Sequence, residues 1–217
     1  MNLNLHLPLC LVFLLAHGAM AGDAGWPEFA SDEARDQWLR ARSPFYRSMA
    51  EAIDRNGGYR FRTGTEHPMG VVTYENGQRF IELHDSLKDP KRLSILAFEI
   101  TNAFQQPKHD EIDAAARAGT LTSAREFGIR HELIELDGLR LHRRVLVELE
   151  AATDQLSVEM LDWISPGQTT LKTYEVPFAH DFIKAQESGG HTAHYWKWFE
   201  RQVEMGRAQR GESLLEK

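Results

Sequence analysis

The side chains best equipped for chemistry fall into three groups. The first is a single carboxylate, Glu99, set in the apolar stretch RLSILAFEITNAFQQ at 92–106. On a helical wheel Leu93, Leu96, Ala97, Ile100 and Phe104 share one face, Ile95, Phe98 and Asn102 lie opposite, and Glu99 falls beside Ile95 and Ala103. A helix apolar on both sides is sandwiched, so Glu99 is expected to be partly desolvated and to face a cleft or other protein. A carboxylate in such a place is a candidate for acid–base work.

The second group lies in REFGIRHELIELDGLRLHRRVLVEL, where Phe127, Ile134, Leu141, Val145 and Leu149 make a core stripe. His131, Glu135, Gly138 and His142 form a second stripe within about 40° of one another, with the glycine admitting another backbone. A His-x3-Glu spacing on a half-buried face suits a metal, a proton relay or an ion pair. Joined to Glu99, His131 and Glu135 would give a carboxylate pair for work on a sugar or amide bond. The competing expectation is an ion-pair and hydrogen-bond network with Arg130, Arg140 and Arg143. The third group is SGGHTAHYWKWFERQ, with His191 and His194 on one helical face and no carboxylate or cysteine partner in view. There Tyr195, Trp196, Trp198 and Phe199 are expected to dock the helix, leaving one aromatic for a partner or a glycan.

The elements that position these groups are legible from punctuation. Two helices are expected first, from Ser31 to about Arg42 and then from Pro44, with Ser43 as cap and Asn56-Gly57-Gly58 as stop. YRFR at 59–62 is a strand, and GVVTY and RFIEL flank Glu75-Asn76-Gly77-Gln78, a hairpin signal that places 70–84 at a sheet edge. Asp89 as N-cap and Pro90 at the first position should start the helix of Glu99, and a polar connection containing Pro107 and Gly119 should follow it. A long helix is expected from about Ser123 to Ala152, then a Pro-Gly turn in DWISPGQTT, a short helix near 178–187, a final helix from His191 and a fraying end, RAQRGESLLEK. The fold class is therefore α+β: a small antiparallel sheet with an edge hairpin packed on a central helix and a long second helix, with a helical C-terminal third.

The order edge hairpin, DPKRL, then ILAFEITNAFQ resembles the minimal zincin metallopeptidase pattern, over roughly residues 69–150. In that family a His-Glu-x-x-His helix holds zinc through both histidines while the glutamate activates a bound water. The resemblance places Glu99 at the catalytic glutamate and Phe98 and Asn102 at the two ligand positions, with Glu132 or Glu135 as candidates for the third ligand of the glutamate-type members. Phenylalanine offers no lone pair and an asparagine amide oxygen is matched poorly to zinc, so no metal is expected there. Zinc remains the alternative cofactor. The alternative for the helix itself is ordinary core packing with no ancestral site.

The chain has 217 residues, a formal net charge of −7 and one cysteine, Cys10. Its first 21 residues carry no Lys, Arg, Asp or Glu, and Leu7–Ala16 is almost wholly apolar before Ala19-Met20-Ala21. That is the pattern of a secretory signal peptide cleaved after Ala21, with a retained anchor as the alternative. Cleavage removes Cys10 and leaves 22–217 as one α+β domain without disulfides, a core at 70–152 and a helical extension at 153–217. The acidic balance argues against a nucleic-acid partner. The resulting expectation is a secreted or periplasmic protein, not integral to the membrane, that binds a protein or envelope component on a zincin-like scaffold lacking the zinc histidines. Its alternatives are an envelope-directed hydrolase using Glu99 with His131, Glu135 or His142, and a helical periplasmic module with no site.

Overall fold

A computed structural model describes residues 26–64, 69–153, 156–162, 164, 170–171 and 175–212. The expected signal peptide, the Pro166-Gly167 turn and the final residues 213–217 lie outside the described residues. The fold is α+β, with seven helices and one three-stranded sheet among the described residues. The chain divides into two compact units, one formed by residues up to Phe104 together with Leu139–Glu175, the other by Gln105–Gly138 with Val176–Lys217.

The first unit begins with α1 (Asp32–Arg42) and α2 (Pro44–Arg55). Ser31 and Ser43 cap them, accepting from the N–H groups of Ala34 and Tyr46, which satisfies one orphan donor at each start. Glu148 adds to the second cap, accepting from Ser43 Oγ at 2.7 Å and from Phe45 N at 2.8 Å. The strands are β1 (Arg60–Gly64), β2 (Gly70–Glu75) and β3 (Gln78–His84). Asn76 and Gly77 turn the β2–β3 hairpin with φ of 50° and 78°, as a two-residue turn between twisted strands requires. The strand order is β1-β3-β2, and β1 runs parallel to β3, so the sheet is mixed rather than antiparallel. Alternation of side chains specifies which face of β1 is buried and leaves the direction of its neighbour open.

Two long helices, α3 (Lys91–Arg117) and α4 (Ala124–Thr153), contribute residues to both units. Asp89 does not cap α3, because Arg35 takes its carboxylate through Nε at 2.9 Å and Nη2 at 2.6 Å. Nor does α3 end before Pro107, which lies on an exposed position while buried Asp113 and Ala116 anchor the turns beyond it. Leu93, Ile95, Leu96, Ala97, Phe98 and Ile100 are all buried in the first unit, which bears out the sandwiched helix, whereas Phe104 keeps 39% exposure and leaves the core stripe. Buried Arg92 is matched: it grips Asp32 through two bonds of 2.7 and 2.6 Å and donates to the His84 carbonyl at 2.7 Å. A short helix, α5 (Glu159–Asp162), follows α4.

The second unit adds α6 (Ala179–Ser188) and α7 (His191–Gln209) to the C-terminal half of α3 and the N-terminal half of α4. α7 takes in the first three residues of the stretch expected to fray, ending at Gln209. Two glycines let its helices approach closely. A Cβ on Gly128 would lie 2.9 Å from Thr192 Cγ2, and one on Gly206 would lie 2.0 Å from the Arg117 carbonyl oxygen. No helix among the described residues is long and apolar enough to cross a membrane.

Candidate functional site

The helix of Glu99 belongs to the first unit, and its polar groups are spent on structure. Phe98 is buried and meets the His142 ring edge-on, 5.8 Å between centroids at 86°. His142 is buried too, and Ser94 fixes its tautomer: the Ser94 hydroxyl donates to the Met160 carbonyl at 2.7 Å, so His142 Nε2 must be the donor to the Ser94 carbonyl at 3.0 Å. Burial drives the His142 imidazole down to about 3, against a partial rise from its Ser94 bond, so it stays neutral. Glu99 is 3% exposed and accepts from Asn102 Nδ2 at 3.2 Å. Burial pushes its carboxyl up to about 8, with the Asn102 bond pulling weakly the other way. The strand backbone closes over it, since a Cβ on Gly70 would stand 3.0 Å from Glu99 Cγ and from Ile95 Cγ2. Phe98 and Asn102 thus offer no fit to a zinc ion, and no chemistry through such an ion is derived at this helix.

His131 and Glu135 belong to the second unit, where a buried polar cluster gathers around α7. His131 is stacked flat against Tyr195, with centroids 4.6 Å apart at 10°, and tilted against Phe127 at 4.4 Å. Its Nδ1 is 2.6 Å from His109 Nδ1 and its Nε2 is 3.4 Å from Asp113 Oδ1. Asp113 in turn accepts from Trp198 Nε1 at 3.0 and 3.1 Å and from Gln202 Nε2 at 3.2 Å. This confirms Trp198 and Phe199 as docking residues, Phe199 lying 5.4 Å from the Phe127 ring, and leaves Trp196 40% exposed. Of the arginines expected to serve the stripe, Arg130 reaches Glu126 and Arg143 reaches the Leu171 carbonyl.

Beside His131 lies the arrangement with the clearest chemical potential. Glu132 and Glu135, three apart on α4, point to the same side and meet His191 at the first position of α7. One ligand atom from each of the three lies within 4.8 Å of the others. His191 Nδ1 stands 3.0 Å from Glu132 Oε1 and 4.0 Å from Glu135 Oε2. Two donors at right angles on an ion with bonds near 2.1 Å are about 3.0 Å apart, and opposed donors about 4.2 Å. The two spacings from His191 fall in that interval. Neighbouring side chains orient the carboxylates from outside: Thr192 Oγ1 donates to Glu132 Oε1 at 2.9 Å, and the Tyr195 hydroxyl donates to Glu135 Oε1.

The cluster sets buried carboxylates against one protonatable ring. Glu132 is 0% exposed, and its Oε2 makes no hydrogen bond. Burial lowers the His191 imidazole, but its bond to Glu132 and the charges of Glu135 and Glu132 outweigh that and raise it to about 9. Without another cation His191 carries the positive charge itself. Burial and the Glu135 carboxylate hold the Tyr195 phenol well above the usual tyrosine range.

The expected pairing of His191 with His194 is corrected in part. His194 is exposed, with its ring 6.4 Å from that of His191, and lies outside the cluster. The carboxylate partners that seemed missing come from α4, about sixty residues earlier in the chain. The local signal for that meeting is Gly128, one turn before Glu132, which opens α4 to Thr192, rather than Gly138, where close approach is expected from the stripe. Compared with known proteins, the chain matches no family model, no curated protein and no solved structure.

Proposed function

We propose that the protein works by binding rather than by hydrolysis, and that the ligand is a first-row transition metal ion held by Glu132, Glu135 and His191. The observation that carries this reading is the wholly buried Glu132, whose second oxygen lacks a hydrogen bond, in a group where one ligand atom each of Glu132, Glu135 and His191 lies within 4.8 Å of the others. A buried carboxylate of this kind is costly unless a cation completes it. Oxygen and imidazole donors suit zinc, manganese, iron or cobalt better than a soft ion. When bound, such an ion would supply positive charge and open coordination positions; the chain supplies the carboxylates, the imidazole and the outer hydroxyls of Thr192 and Tyr195.

The zincin-like resemblance of the Glu99 helix is part of the same proposal, as a scaffold whose signature positions now pack the first unit. So is export through the N-terminal signal peptide, which would place the protein among envelope components and away from nucleic acid. Glu99, closed over by Gly70, has no part in the metal site. Purified protein stripped with a chelator and dialysed against Zn(II) should retain one equivalent by elemental analysis. Glu132→Gln and His191→Ala should abolish retention, while Glu99→Gln should keep it. Retention that survives both substitutions in the second unit, or no retention by the parent protein, would overturn the proposal.

A further inference from the structure

We infer that the ion at this site is a clamp that fastens the turn of the α6–α7 hairpin to α4, so that metal occupancy sets how often this end of the second unit opens; the inference rests on the metal site proposed above. His191 is the first residue of α7 and follows Ser188-Gly189-Gly190, with Gly190 at φ 79°. Glu132 and Glu135 stand on α4. An ion held by all three bridges two helices at the point where the chain turns back. It therefore ties down both arms of the hairpin through one residue.

The two ends of α7 are held differently. Further along the helix Trp198 and Gln202 bond Asp113, Phe199 packs on the Phe127 ring at 5.4 Å, and Gly206 lies against the Arg117 carbonyl. The first turn has no side-chain cap, and its buried residue, Thr192, lies over Gly128 and donates to Glu132 Oε1 at 2.9 Å. His191 meets that same oxygen at 3.0 Å. The start of α7 is thus moored largely on a carboxylate whose second oxygen makes no hydrogen bond. α6 is a weak second mooring: it starts without a side-chain cap, buries Phe182 alone among its residues, and reaches α4 through the solvent-facing pair Arg125–Glu187 at 3.0 Å. A segment with uncapped helix starts and few buried apolar side chains opens ahead of the body it belongs to.

Mass action gives the size of the effect. An ion that binds the closed form and not the open one slows exchange through that opening by about 100-fold when its free concentration is roughly one hundred times Kd. Openings that leave the site intact keep their rates. The test is hydrogen exchange of the whole protein, read by mass spectrometry with and without Zn(II) at about one hundred times the Kd found by titration. Amides of 179–196 should slow by about 100-fold, while those of 205–209 and of α1 and α2 are unchanged. His191→Ala should exchange quickly over 179–196 whether or not Zn(II) is present. One bound equivalent of Zn(II) with unchanged exchange at 179–196, or an equal slowing in α1 and α2, overturns the clamp and leaves the metal site standing. Exchange in His191→Ala as slow as in the Zn(II)-loaded parent also overturns the clamp. No uptake of Zn(II) by the parent overturns both. The parent protein alone decides the matter if the variant folds poorly.

Discussion

Replacing Glu99 by glutamine should stabilise the protein, by an amount that grows with pH. The carboxyl is 3% exposed and pushed up from 4.5 to about 8 by burial. Between those values the unfolded chain has released the proton and the folded chain still holds it, so folded stability falls as pH rises. Each pH unit in that window costs about 1.4 kcal/mol, which makes the burden roughly 3 kcal/mol at pH 7 and close to nothing at pH 4.5. Glutamine has the same shape, cannot ionise and keeps a carbonyl to accept from Asn102. Urea unfolding of parent and Glu99→Gln across pH 4.5–8 measures the difference directly, and the stability gap should widen with a slope of about 1.4 kcal/mol per pH unit. A gap that does not change with pH would mean that Glu99 is ionised in the folded protein. That outcome would refute the closed pocket under Gly70 and restore Glu99 as a working base.

His142 should act in the opposite direction: held neutral down to about 3, it contributes stability that is present above its ordinary 6.5 and lost as pH falls through that window. The acid limb of the stability curve should therefore be shallower in His142→Gln, and the opposing slopes of His142 and Glu99 should leave a plateau near pH 4.5–6.5, both read by the same urea series. Arg92→Met should cost about 1–3 kcal/mol in the same assay, because it takes two bonds from the buried carboxylate of Asp32, which keeps Arg35 Nη1 at 3.3 Å. Gly206→Ala forces a Cβ against the Arg117 carbonyl oxygen, where no side chain can move aside, and should destabilise the second unit by at least about 1–3 kcal/mol. Hydrogen exchange should then show faster opening in α7 and the end of α3, with α1 and α2 unchanged.

Local features were legible because their causes are local. The serine caps of α1 and α2, the Asn76-Gly77 turn and the apolar faces of the Glu99 helix each follow from residues within one turn of one another. The parallel pairing of β1 with β3 depends on a neighbour that no strand specifies alone. The extension of α3 past Pro107 depends on burial of Asp113 and Ala116, which outweighs a missing N–H. The site shows the same division. His131, Glu132, Glu135, His142 and His191 are each recognisable by type and spacing, and the zincin-like resemblance implies Glu132 or Glu135 as a third zinc ligand near Glu99. Their assembly with His191 and Tyr195 requires α7 to pack on α4 at Gly128, a contact across some sixty residues of chain. The expected cap at Asp89 fails for a related reason, since a carboxylate that suits an N-cap also suits the fork of Arg35.

Metal stoichiometry tests the central claim most directly. Elemental analysis of reconstituted protein, compared among the parent, Glu99→Gln and Glu132→Gln, should give one bound ion for the first two and none for the third. A parent protein that binds no ion, or a Glu132→Gln variant that binds as many as the parent, would contradict the claim that this buried carboxylate cluster is the working site.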